Sequence, residues 1–469
     1  MFMPTRERPE CNLRDSLMIK ILRLIIFILF TAPVIPAGAA DVRDLLLTTT
    51  GLTESDIKSA ASSSRIDLFN LYALAVSGTE RLAIEGENAI QADYRMWQAI
   101  GALLPSVSLK TTRYLQEDDP AVSGRKSGML LYARQNLVMG LDQYAGIKGN
   151  CSERLIERYR LGHAAGMLLL DLAQIYLEAL KIEKTLRNRE KVLENYRGIA
   201  AELKRRVAVG RSRQSDLLRT NSQIFRLEAE IQSLQDRKRS ALVSLGTLAG
   251  LPGAPELDDN LALIAPSAQA DSASAIAESR YDVKAAAEEV ALAETRLLGS
   301  LDGNLPSVYI EGTYRILQEE KTGRDYYAGL GVEVPIIDGG VTVSRAMEMR
   351  SVKRQAELRL KQTRRASLAE IDDARASFES SLREVESYKK ALDAAEADYA
   401  AILREYGLNL VTILDVFNSL TDLVSSRDDY EQSLLDKCLN RVKLGVATGE
   451  FLGNGIAALR PVRGEGSLK

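Results

Sequence analysis

Residues 306–315 read PSVYIEGTYR, directly after a long run of alanine and charged residues with helical character. The ten residues alternate with a period of two. Val308, Ile310, Tyr314 and Ile316 fall on one side, and Tyr309, Glu311, Thr313 and Arg315 on the other, the pattern of a strand with one apolar and one polar face. A second alternating run, YYAGLGVEVPI at 326–336, sets Leu330, Val332 and Val334 opposite Gly329, Gly331 and Glu333.

The pair is written twice. Residues 105–114, PSVSLKTTRY, open with the same three residues and are followed by GMLLYARQNLVM at 128–139. The intervening loops, DDPAVSGRKS and EEKTGRD, are polar and carry turn residues. Strand pairs are therefore expected within 103–139 and 305–336, with Pro105 and Pro306 at the strand starts.

Working outward, each pair is preceded by an amphipathic helix ending in Leu-Pro-Ser-Val and followed by long proline-free helical sequence. Helix is expected over 144–207 and 343–404, each about 90 Å long at 1.5 Å per residue. Val209-Gly210 and Tyr406-Gly407 mark chain reversals, and return helices are expected over 215–248 and 411–448. Leu217, Asn221, Ile224, Leu227, Ile231 and Leu234 recur at threes and fours, as do Leu382, Val385, Leu392, Tyr399 and Leu403, which favours antiparallel helical hairpins. The order helix, strand, strand, helix, turn, helix thus occurs twice. Residues 41–254 form a first repeat with its tip near 210, and 255–450 a second with its tip near 407. Residues 451–469 read as a disordered tail.

Residues 1–40 have the layout of a cleavable secretory signal. Arg14, Lys20 and Arg23 flank the apolar run IIFILFTAPVIPA, which ends in Gly38-Ala39-Ala40. A membrane anchor is the competing reading, against which stand the short run and Pro33 and Pro36. Past the signal only Cys151 and Cys438 remain, two isolated thiols rather than a disulfide framework.

The strands decide between two architectures. In a soluble sheet the apolar face meets a core, whereas in a membrane barrel it meets lipid and the polar face lines a wet lumen. Each run has about the 9–11 residues a tilted strand needs to cross a bilayer. Four strands cannot close a barrel, and an open edge in lipid leaves backbone groups unpaired. Membrane strands would therefore require several copies of the chain, each contributing staves: two copies give eight strands, three give twelve.

The net charge of -3 over 469 residues provides no electrostatic footprint for nucleic acid. Chemistry is sparse. The one histidine, His163, stands between Gly162 and Ala164 with no second metal-ligating partner in sequence, and no phosphate loop or serine elbow occurs. No catalytic, cofactor or metal residues are assigned, and a hydrolase reading has no residues to rest on.

The sequence resembles the TolC-type outer-membrane efflux and secretion channels. The resemblance is carried by the two Leu-Pro-Ser-Val strand starts and by Val334-Pro335-Ile336-Ile337-Asp338-Gly339-Gly340 after the last strand. It continues in Arg206-x-x-Val209-Gly210…Asp216-Leu217 at the first tip and Tyr406-Gly407…Thr412-Ile413-Leu414-Asp415-Val416 at the second. It spans about residues 63–449. It implies a mainly helical fold with membrane strands: a homotrimer with one twelve-stranded barrel in outer-membrane lipid and a helical tube through the periplasm. It also implies docking with a periplasmic adaptor and an inner-membrane transporter of RND or ABC type. The protein would export small molecules or polypeptides without chemical conversion. A periplasmic coiled-coil adaptor or scaffold is the alternative.

The resemblance further implies a gate at the periplasmic tips, with Asp216 and Tyr406 matching the family's aspartate and tyrosine. The family's arginine position falls on Val411, so Arg211, Arg213 or Arg404 would have to substitute. Asp415 matches one acidic ring position, and the second falls on Asn418. Each has a plainer reading: Asp216 as a first-turn acid favouring the helix dipole, Tyr406 as helix packing, and Asp415 as a solvent-facing residue well inside its helix.

Overall fold

The computed structural model describes residues 41–63, 65–112, 128–138, 140–251, 253, 255–258, 273–318, 326–408 and 410–451. The expected signal at 1–40, the segments expected as loops between paired strands, and the part of the expected tail beyond Phe451 lie outside them. The first half runs α1 (Val42–Thr50), α2 (Glu54–Ser62), α3 (Leu68–Gly78), α4 (Glu80–Gly101), β1 (Ser106–Thr112), β2 (Gly128–Asn136), α5 (Leu141–Ala208) and α6 (Gln214–Leu248). The second runs α7 (Ala273–Ser279), α8 (Tyr281–Gly299), β3 (Ser307–Gln318), β4 (Tyr326–Glu333), α9 (Val341–Gly407) and α10 (Ile413–Ala447). At 68 and 67 residues, α5 and α9 each extend about 100 Å.

The first lead-in helix differs from expectation, because it is two helices broken at Thr79. Thr79 has extended backbone (φ -89°, ψ 122°), and its hydroxyl donates to Ala75 O at 2.5 Å. There Gly78 comes against the backbone of Ala249 and Gly250. Gly250 takes a left-handed φ of 67°, and a side chain there would run into the Gly78 backbone, so the crossing requires glycine at 250.

The largest core cluster joins α1–α3 to the middle of α5 and the ends of α6 and α10, through Leu71, Tyr72, Leu161, Leu169, Leu172 and Tyr176. Two buried phenols find backbone acceptors: Tyr72 donates to Ala165 O at 3.2 Å and Tyr176 to Asp258 O at 2.6 Å. A second cluster packs all four hairpin helices toward the tips, with Leu203, Ile224, Leu227, Ile231, Val416 and Phe417 at its centre. The α6 periodicity thus lands on the core. On α9, Leu382 and Leu403 are instead exposed, because the buried stripe runs Ile371, Ala374, Phe378 and Ser381.

Arg280 knits the second half together. Its guanidinium bonds both oxygens of Asp282 (3.0 and 2.9 Å), Glu370 at 2.7 Å and Ala447 O at 3.2 Å, and so ties α8, α9 and α10. Burial pushes the Asp282 carboxyl up, but hydrogen bonds and charge from Arg280 outweigh it and hold the group below its ordinary 3.8. A depressed carboxylate stabilises the fold above its unfolded pKa and loses that contribution as pH falls through the folded value. Urea unfolding midpoints are therefore expected to drop below about pH 4, and to drop less steeply in Asp282→Asn. Identical acid slopes in the two proteins would contradict this.

Phe451, assigned to the tail, is 1% exposed and seats its ring on Gly445. Cys151 is exposed and Cys438 buried, both as free thiols. Burial pushes the Cys438 thiol up to about 11, keeping it protonated and unreactive.

Candidate functional site

The four strands form one antiparallel sheet in the order β1-β2-β3-β4. Pro105 and Pro306 each stand immediately before a strand, where a missing N–H costs no ladder bond. Val107 pairs with Ala133, Leu109 with Leu131, and Leu131 in turn with Tyr314. Val308 pairs with Val332 and Ile310 with Leu330. These residues share one face, and no residue of it enters a core cluster. Leu109, Leu330 and Val332 are 57–66% exposed. Among the described residues neither outer edge, on β1 or on β4, is paired.

The opposite face is polar and internally bonded. Lys110 Nζ lies 4.2 Å from the Tyr132 ring centre, and the Tyr132 hydroxyl donates to Glu311 at 3.0 Å. The Arg134 guanidinium stacks 3.9 Å over Tyr309, whose ring fills the space beside Gly331 where a side chain would stand. One face thus suits hydrocarbon, and the other carries charges and hydroxyls suited to water.

The two tips close differently. At the first, Gly210 adopts φ 71°, its N–H bonds Val207 O at 2.9 Å, and the Arg211 N–H bonds Arg206 O at 2.8 Å. This double bond is the Schellman closure, for which glycine is the least strained residue. At the second tip the expected reversal at Gly407 is displaced. Gly407 is the last residue of α9 and is absent from the glycines of positive φ. The closing bond runs from Leu410 N–H to Glu405 O at 3.0 Å, so the chain turns after Leu408.

Asp216 sits in the first turn of α6. Asp415 is not well inside its helix. It is the third residue of α10 and forms a capping box with Thr412, accepting from that residue's N–H (2.8 Å) and hydroxyl (2.7 Å). The T-x-x-D spacing encodes this cap. Bonds from Thr412 hold the Asp415 carboxyl below its ordinary range, which leaves it charged at neutral pH.

Tyr406 is half-buried beside the tip core. The cation that meets it is Arg206, 5.3 Å from its ring centre. None of Arg211, Arg213 or Arg404 is in that position; Arg404 bonds back to Ala400 O. Arg206 also pairs with Glu202 at 3.0 Å. Burial pushes the Tyr406 hydroxyl up, reinforced by Asp216 and Glu202 and opposed by Arg206, so it stays a neutral donor. Arg206, Asp216 and Tyr406 thus converge from α5, α6 and α9. Sequence spacing could not reveal the Arg206 contact, because it depends on how one hairpin lies against the other.

His163 faces a cleft between α5, α8, α9 and α10 beside Asp282 and Lys443. Among the described residues no group of three or more His, Cys, Asp or Glu could hold a metal ion. Among the same residues no helix is long and apolar enough to cross a membrane.

No protein-family model matches the chain. The chain is 22% identical over 418 residues to the pyoverdine export outer membrane protein OpmQ of Pseudomonas putida, covering 85% of this chain and 88% of that one. Among solved structures it superposes on CusC with a TM-score of 0.70 at 16% identity, over 82% of this chain and 93% of that one. On the Vibrio cholerae outer membrane protein VceC the TM-score is 0.69 at 17% identity, over 81% and 96%. On the Campylobacter jejuni outer membrane channel CmeC it is 0.70 at 14%, over 82% and 86%. The chain has the fold of the TolC-type outer-membrane channels, the family its sequence resembles along most of its length.

Proposed function

We propose that the protein is an outer-membrane export channel. Three copies each contribute four strands to one twelve-stranded barrel, and the long helices continue as a tube into the periplasm. There the tips meet a periplasmic adaptor and an inner-membrane transporter. The protein moves cargo and converts none. The observation that carries this reading is the four-stranded sheet, with an uncovered apolar face, a bonded polar face and two unpaired edges. A periplasmic adaptor or scaffold has no use for such a sheet. The Pseudomonas putida relative is a pyoverdine export protein, which favours a small molecule over a polypeptide as cargo.

The tip residues are assigned to closure. Tyr406 packs against Arg206, Asp216 lies close enough to Tyr406 for its charge to act on the phenol, and three symmetry-related Asp415 carboxylates would ring the axis as a constriction favouring cations. The purified protein in a planar bilayer is expected to show small, flickering openings. Tyr406→Ala and Arg206→Ala should each raise the conductance severalfold, and Asp216→Ala by less. Asp415→Asn should lower cation selectivity while leaving the helix capped. A wild-type protein that neither enters membranes nor conducts would overturn the channel reading. A conducting channel indifferent to Tyr406→Ala and Arg206→Ala would overturn only the gate.

A further inference from the structure

The cleft that His163 faces exists because of where helices stop. α7 ends at Ser279 and α8 begins at Tyr281. α10 ends at Ala447, and Gly449 turns the chain with a left-handed φ of 72°. These ends leave a cavity of about 530 Å³ against α5 and α9, a size at which small-molecule sites between packed helices are found.

Its lining has an apolar part and a cationic part. Met167, Leu170, Ala374 and Val446 supply the first. The Tyr281 ring joins them, standing so close to α5 that a Cβ on Gly162 would come within 2.9 Å of it. Three hydrogen-bond donors arrive from three helices: His163 from α5, Lys284 from α8 and Lys443 from α10.

The two lysines are half-buried, and among the described residues no ion pair engages either. Lys284 Nζ has the Tyr281 ring centre at 5.7 Å. The nearby Arg280, by contrast, is held by Asp282 and Glu370, so those two carboxylates are already committed. Asp373, the third acid of the lining, is exposed. An ammonium partly withdrawn from water without a counter-ion carries an unbalanced desolvation cost. An anion in the cleft would relieve it for both lysines at once.

We propose that this cleft binds a small amphiphilic acid. Its carboxylate sits with Lys284 and Lys443 and accepts from His163, and its apolar body lies against Tyr281, Met167 and Leu170. Lysines present compact point charges rather than the planar fork of an arginine, so the apolar lining sets the pose of the ligand. A free aromatic acid and a lipid-derived fatty acid share this chemistry. The site requires only the folded chain, and it stands or falls apart from the channel and the gate.

The test is equilibrium dialysis of radiolabelled salicylate, and separately of octanoate, against the detergent-purified full chain, with detergent alone as the blank. One acid is expected to bind per chain, and salicylamide, the neutral counterpart of salicylate, should not compete. The tighter of the two acids identifies the source that fills the site. Lys284→Met and Lys443→Met should each weaken binding roughly tenfold, the worth of one hydrogen bond to a charged group. Leu170→Trp, which fills the cavity without altering charge, should abolish it. Lys390→Met, an exposed lysine on α9 paired with Glu386, should leave it unchanged. Asp373→Asn should leave binding equal or tighter. Urea midpoints matching wild type would separate lost binding from lost folding. Failure of both acids to exceed the blank overturns the site, as does wild-type binding in Leu170→Trp or in both lysine variants. Competition by salicylamide, or weaker binding in Asp373→Asn, overturns the assignment of the ligand as an anion.

Discussion

An Ile310→Arg protein is expected to be lost from the outer-membrane fraction and to accumulate as unassembled periplasmic chain. Ile310 lies between Gln135 on β2 and Leu330 on β4, on the face that also carries Val308, Tyr314 and Val332. If that face meets lipid, a guanidinium near the middle of the bilayer costs about 2–4 kcal/mol per chain, and three copies incur it together. The control is Thr313→Arg, three residues further on and on the polar face. There the new charge enters a surface that already holds Arg134, Glu311 and Tyr132 hydrogen-bonded or stacked, and assembly should proceed. Membrane fractionation followed by a heat-modifiability gel reads both variants. If Ile310→Arg assembles as well as Thr313→Arg, the apolar face does not meet lipid and the barrel assignment falls.

The second large effect lies at the far end of the same chain. Arg441 is 2% exposed, and its guanidinium pairs with Glu450 at 2.8 Å while resting 4.8 Å from the centre of the Phe451 ring. Glu450→Ala removes one carboxylate from a cation that has already been withdrawn from water; a buried charge left wholly uncompensated costs about 3–5 kcal/mol, and the expected loss is a part of that, because Glu450 is one of the groups that hold the guanidinium. The urea midpoint of the helical region should fall accordingly. Replacing both partners, with Arg441→Met and Glu450→Gln, should recover much of the loss, because the penalty belongs to the buried charge that has lost its carboxylate rather than to the missing bond. A Glu450→Ala protein as stable as wild type would mean that Arg441 reaches water or another acceptor.

Much of this architecture is legible in the sequence because its signals are local. Alternation at 306–316 requires only that side chains on a strand point to opposite faces. Glycine at 210 is readable as a helix end because a left-handed residue closes the Schellman bonds without steric strain. The second tip shows the limit of the same rule. Tyr406-Gly407 has the dipeptide form of the first tip, but Gly407 remains helical and the closing bond forms from Leu410 to Glu405. Glycine permits a left-handed backbone without demanding one. Asp415 was misplaced for a related reason. With the return helix expected from 411, Asp415 falls inside it, whereas α10 starts at Ile413 and the Thr412-x-x-Asp415 spacing makes the aspartate part of the cap. The break at Thr79 was missed because both flanks are good helix formers, and the crossing that interrupts them involves Gly250, far along the chain.

What the sequence determined by itself, then, is the order of the main elements: a helical lead-in before each of two strand pairs, two long hairpins, and strands with one apolar and one polar side. These follow from periodicity and from capping residues, which act over a few positions. Only the tertiary structure decided which elements meet. It set Arg206 against Tyr406, tied Arg280 to Asp282 and Glu370, and seated Phe451 on Gly445. Contacts between residues far apart in sequence depend on the rotation and axial offset of packed helices. Those are fixed by the fit of all their side chains together, and no local pattern records them.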